Sequence, residues 1–96
     1  MASRVAVIGI IIENKQSIEA LNQTISMYSK YIVGRMGIPY QRRNISLISI
    51  YVDAPSDIIS ALSGKLGRLE GISCKTAFSS AIYEDLLDDS DLSLDV

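Results

Sequence analysis

Eight consecutive residues, Val5-Ala6-Val7-Ile8-Gly9-Ile10-Ile11-Ile12, carry no polar side chain. Most are β-branched, which favours extended backbone. Alternate side chains of a strand point to opposite faces. Val5, Val7 and Ile11 therefore share one side, and Ala6, Ile8, Ile10 and Ile12 the other. A strand apolar on both faces belongs in the middle of a sheet and needs cover on both. The run is far shorter than the ~20 residues a membrane-crossing helix requires. Its position behind Arg4 is that of a secretory leader's apolar stretch, but Glu13-Asn14-Lys15 follows in place of a small-residue cleavage pattern. We read it as a buried strand.

The rest of the chain supplies partners for that strand. Ser17 is placed to cap a helix. Ile18, Leu21, Ile25, Tyr28 and Ile32 then recur at helical spacing, with polar residues between them, which predicts an amphipathic helix of about three turns. From Ile32 or Val33 to Tyr40 the period changes to two. Ile32, Gly34, Met36, Ile38 and Tyr40 alternate with Val33, Arg35, Gly37 and Pro39, as in a half-exposed strand. Pro39, which has no backbone donor, puts that strand at an edge. Gln41-Arg42-Arg43-Asn44 has the length of a hairpin connection, and Ile45 to Asp53 returns as a strand. Asp53 and Pro55 fit the start of a second helix, Asp53 as acceptor for free N–H groups and Pro55 in the first turn. Ile58, Ile59, Leu62 and Leu66 form its apolar stripe. Gly67 is placed for a left-handed C-cap, and Gly64 inside the helix implies close packing. Ile72 to Ile82 is the last strand.

This order predicts an α+β, ferredoxin-like βαββαβ fold: a four-stranded antiparallel sheet, first and third strands central, with two helices on one face. We divide the chain into a folded domain, residues 1–82, and an acidic tail, residues 83–96. Two helices cover one face of the sheet, yet the first strand is apolar on both. Soluble monomers seldom keep such a patch bare, so the chain is expected to be a homo-oligomer, a dimer or tetramer.

Composition removes several classes of function. There is no histidine, hence neither the commonest general base nor the commonest transition-metal ligand. Cys74 is the only cysteine, so one chain can make no internal disulfide and no thiolate zinc site. On a strand face it reads as a buried, inert thiol. The scattered carboxylates form no nucleophile–base pair, and we expect no enzyme and no metal site. Ser63-Gly64-Lys65 lacks the earlier glycine of a phosphate-binding loop, Ile59 standing in its place. The net charge of −2 hides an asymmetry: Met1 to Ile82 carries nine Lys/Arg against five Asp/Glu, while Tyr83 to Val96 carries six acids and no base. Arg35, Arg42 and Arg43 read as edge-strand and hairpin-tip charges. No recognition helix is visible, so direct nucleic-acid binding is not expected. The tail, alternating acids with aliphatics, reads as a solvated extension. No membrane association is expected, and a cytoplasmic address is the default.

Two stretches carry a resemblance. The run Gly34-Arg35-Met36-Gly37-Ile38-Pro39-Tyr40, and Val52-Asp53-Ala54-Pro55-Ser56 leading into the second helix, resemble the family of iron-only hydrogenase system regulators. These are ACT-like proteins similar to the C-terminal regulatory domain of nickel-responsive repressors. The resemblance spans Arg4 to Phe78, and Leu66 to Ile72 matches a general ACT ending, Leu-x-x-Leu-x-Gly-Ile. It implies a domain that oligomerises through its sheets and regulates a hydrogenase system. The repressors' nickel-binding histidines and DNA-binding segment have no counterpart here. We therefore expect a regulatory module that binds a small effector or a partner protein. Its candidate contacts are Asn14 and Ser17 at the first strand–helix turn, where ACT effectors sit, and Arg35 and Gly37 in the glycine-rich run. The alternative is an assembly or scaffold factor for a metalloenzyme, with no small ligand.

Overall fold

The computed structural model describes residues 2–84. The elements are β1 (Ala2–Ile12), α1 (Ile18–Met27), β2 (Ile32–Tyr40), β3 (Ile45–Ala54), α2 (Ser56–Gly67), β4 (Ile72–Phe78) and β5 (Tyr83–Glu84). The sheet runs β2-β3-β1-β4, with β5 added to the start of β1, and every pairing is antiparallel. The apolar first strand is central, as its two-sided pattern requires, and the proline-bearing strand lies at an edge. This is the ferredoxin-like arrangement.

Alternation along β1 sorts cleanly. Ala6, Ile8, Ile10 and Ile12 are at most 2% exposed, whereas Val5, Val7 and Ile11 are 37–43% exposed. The buried set packs with Ile50 and Val52 of β3, Leu21 and Ile25 of α1, and Ile59, Leu62 and Leu66 of α2. Burying each such aliphatic side chain contributes about 1.5–3 kcal/mol. Both helices thus spend their apolar stripes on the same face.

Several local expectations give way to tertiary contacts. Ser17 does not cap α1. Its backbone is already helical and its hydroxyl donates to the Glu70 carbonyl at 2.6 Å, a bond to the turn before β4. Asn14 does the capping instead, its Oδ1 accepting from Gln16 N–H at 2.9 Å in a 3-10 turn over Lys15–Ser17. Asp53 remains exposed in β3 and caps nothing; Pro55 occupies the N-cap position of α2, one residue ahead of the first turn. Gly67 ends α2 without a left-handed conformation, and the positive φ of 71° falls four residues on, at Gly71. Asn44 takes the other positive φ, 57°, closing the hairpin, a conformation asparagine tolerates better than most residues. At Gly64 a Cβ would meet nothing within 4 Å, so close packing is not the reason for that glycine. The last strand stops at Phe78 rather than Ile82. Arg4 marks the place: its guanidinium stacks 4.5 Å from the Phe78 ring centroid and donates to the Ser79 carbonyl at 2.7 Å. Tyr83 and Glu84, assigned to the tail from sequence, pair with Ser3 and Ala2. Residues 85–96 of that tail lie outside the described residues.

One irregularity decides what β2 presents. Ile32 pairs with Val52, but Gly34 pairs with Tyr51, so Val33 is the extra residue of a bulge. Past it the strand is turned over. Ile32 packs against the core, while Met36, Ile38 and Tyr40, grouped with it by alternation, line the face away from the helices.

Candidate functional site

Two surfaces follow from this arrangement. The first is the uncovered sheet face. Register places Val5, Val7 and Ile11 of β1 beside Tyr51 and Leu47 of β3, and these beside Gly34 and Ile38 of β2. Met36, Ile38 and Tyr40 are 41–54% exposed. Basic or acidic side chains on this face sit at its margins, Lys75 on β4 and Asp53 at the end of β3. Among the described residues nothing covers this apolar surface, and the two-sided pattern of β1 is its sequence signature.

The second is a groove of about 170 Å³ on the helix side, between α1 and the edge strand β2. Past the bulge, Arg35, Gly37 and Pro39 face the helices, opposite Ile50, Ile48 and Ser46. Gly37 offers no side chain and Ser46 a small one, so α1 cannot close down on a filled layer. Ile12, Ile18 and Ile48 line the hollow together with Asn22 and Arg35. Arg35 donates from Nη2 to Asn22 Oδ1 at 3.3 Å, a long, exposed bond, and no carboxylate lines the groove.

The structure thus brings together two of the four candidate contacts, Arg35 and Gly37. Asn14 and Ser17 lie elsewhere, in a turn stitched to the one before β4. There the Glu13 N–H donates to the Gly71 carbonyl at 2.7 Å, the Ser17 hydroxyl is buried and bonded, and the Asn14 carboxamide oxygen is taken up by Gln16. Asn22, Ser46 and Ile48 were missed because only the bulge determines which side of β2 faces α1. A further hollow of about 380 Å³, lined by Ser3, Lys30, Tyr31, Asp53 and Pro55, lies where β1 starts and β3 ends, beside the start of α2. Arg42 and Arg43 sit at the hairpin tip in a 3-10 turn, and Ser63-Gly64-Lys65 lies within α2. Cys74 is half-buried, its thiol donating to the Ser63 carbonyl at 3.3 Å. Burial pushes its pKa up, against a smaller opposing effect of Lys75, so the reactive thiolate is disfavoured. Among the described residues no three metal-ligating side chains cluster, and no helix is long and apolar enough to cross a membrane.

Residues 4–76 match the TM1266-like family, described as "Iron-only hydrogenase system regulator, putative". The chain belongs to this family. The chain is similar in structure to the uncharacterized protein TM1266 from Thermotoga maritima, with a TM-score of 0.77 and 30% identity, covering 79% of this chain and 96% of that one. A formyltetrahydrofolate deformylase from Pseudomonas putida KT2440 is similar at a TM-score of 0.55 and 8% identity, over 76% of this chain and 28% of that one; at that identity the likeness is one of fold alone. No curated protein matches. The regulator family coincides with the resemblance carried by Arg4 to Phe78, and its description names a regulator and no reaction. Neither structural match bears on the expected likeness to ACT domains or to nickel-responsive repressors.

Proposed function

We propose that this chain is a cytoplasmic, homo-oligomeric regulatory module of an iron-only hydrogenase system. In this reading copies associate through the uncovered sheet face, and the assembly binds a small effector or a partner protein. Membership of the regulator family supports the pathway. The carrying observation for assembly is the half-exposed row Val5, Val7 and Ile11 on a strand whose other side is sealed. An interface of standard size, ~1,600 Å² and ~60% apolar, gives on the order of 24 kcal/mol gross at ~25 cal/mol/Å². Association costs about 4–15 kcal/mol before polar desolvation, so a surplus remains. Of the four candidate contacts, Arg35 and Gly37 border an open groove and are the two we place against an effector. Asn14 and Ser17 serve the turn.

Sedimentation of the full chain at micromolar concentration tests the assembly: dimers or tetramers are expected, and a monomer overturns it. For the pathway, loss of the chain from its own cell should change hydrogenase gene expression or activity; unchanged values for both would remove the regulatory role. The alternative, an assembly or scaffold factor without a small ligand, is separated by thermal-shift screening. A ligand that binds only the folded state raises Tm. No shift across amino acids, nucleotides, organic acids and metals, with co-purification of a hydrogenase component, would favour the scaffold.

A further inference from the structure

We infer that the groove between α1 and β2 takes a small monocarboxylic acid with a short hydrocarbon body, its carboxylate held by Arg35. This rests on reading the chain as an effector-binding regulator and names the effector's chemistry. The floor is aliphatic, from Ile12, Ile18 and Ile48, and the hollow exists because Gly37 and Ser46 leave it unfilled. Arg35 stands at the groove with only a 3.3 Å bond to Asn22 among the described residues. A planar guanidinium with spare donors matches a carboxylate in two parallel bonds. A volume of 170 Å³ holds on the order of six water-sized groups at ~30 Å³ each, enough for a carboxylate and a few carbons.

The same lining sets the selectivity. No acidic side chain lines the groove, so the ammonium of an α-amino acid would give up water for at most the neutral acceptors of Asn22 and Ser46 and gain no opposite charge, which is costly. The matching alcohol would forgo the charge-assisted bonds to Arg35. The preferred ligand is therefore the simple acid over both its amino-acid and its alcohol counterpart. A Cβ at Gly37 would sit 3.9 Å from Ile48 Cγ1, an ordinary contact, and the two further methyl groups of Gly37→Val would take up space in the hollow.

Titration of the full-length chain with isovalerate, followed by backbone-amide NMR and calorimetry, tests this. Saturable binding at about 1 mM or tighter is expected for a ligand of this size, with shifts concentrated at Ile12, Ile18, Arg35 and Ile48. Arg35→Gln should weaken it about tenfold or more, Gly37→Val should abolish it, and valine and isopentyl alcohol should each bind at least tenfold more weakly. Absence of saturable binding, shifts centred elsewhere, equal affinity in Arg35→Gln, or tighter binding of valine would each overturn the inference. The amide map of the wild-type chain decides the matter even if a variant misfolds. Should a different effector emerge from the thermal-shift panel and bind unchanged in Arg35→Gln, the groove assignment fails while the regulatory reading stands. Should the chain be monomeric with no effect on hydrogenase, that reading fails while isovalerate binding remains measurable.

Discussion

Three residues carry sharply different consequences that their types alone would not reveal. Gly71 adopts a φ of 71°, and a Cβ there would lie 2.4 Å from the Cβ of Asn14. Left-handed strain costs roughly 1–2 kcal/mol for a non-glycine residue, and the clash with a neighbouring backbone segment adds to it. Gly71→Ala should therefore destabilise by about 2 kcal/mol or more in urea unfolding. Gly64 is the reverse case, an exposed helix-interior glycine with open space at its Cβ. Gly64→Ala should raise stability by about 0.5–1 kcal/mol. Both are glycines near the end of one helix, and only the backbone angle and the neighbouring atoms separate them. Cys74 supplies a pH dependence. Its folded-state pKa is raised by burial, so above the ordinary value of 9.0 the folded state still holds a proton that the unfolded state has released. Stability is then full below that value and falls as pH rises through the window between the two pKa values. Cys74→Ser should flatten this alkaline decline, as read by Tm between neutral and alkaline buffers.

At the scale of elements, the turn from β1 into α1 shows why cap assignments from sequence misplace residues. Ser17 has the right type and position for an N-cap, but the approach of the α2–β4 turn offers the Glu70 carbonyl at 2.6 Å. The hydroxyl satisfies that group, and Asn14 takes over the local turn. Ser17→Ala should cost about 1 kcal/mol, the worth of a partly buried hydrogen bond whose acceptor loses its partner, with chemical-shift changes at Glu70 and Gly71 rather than fraying of α1. The strand β2 teaches the same lesson for register. Its alternation is legible from Ile32 to Tyr40, but a bulge at Val33 inverts the strand after its first residue. Periodicity reports which residues share a face only while the ladder is regular. The pairing of Arg35 and Gly37 in one groove therefore could be named from sequence as two residues in a glycine-rich run, but not located.

For the whole molecule the decisive quantity is the balance between apolar surface made and apolar surface covered. Two helices seal one side of four strands, and the central strand leaves Val7 and Ile11 38% and 43% exposed on the other. A charge placed there has solvent around it in an isolated chain and a desolvated environment in an assembly. Val7→Lys and Ile11→Lys should each shift the sedimentation profile towards monomer while changing the far-UV spectrum little. A variant that sedimented unchanged would show that copies meet elsewhere, at the free edges of β2 or β4 for example.

Sequence by itself determined the order of elements from β1 to β4, the central place of β1, the edge position of β2 and the excess of apolar surface. These depend on side-chain period and on local backbone preferences, which neighbouring residues along the chain carry among themselves. Tertiary structure alone decided where Ser17 bonds, which glycine is irreplaceable, where the bulge turns β2 over, and hence that a hollow opens between α1 and Gly37. Each of those is a meeting of residues distant in the chain, set by the register of paired strands and by the close approach of two turns, and no local pattern encodes it.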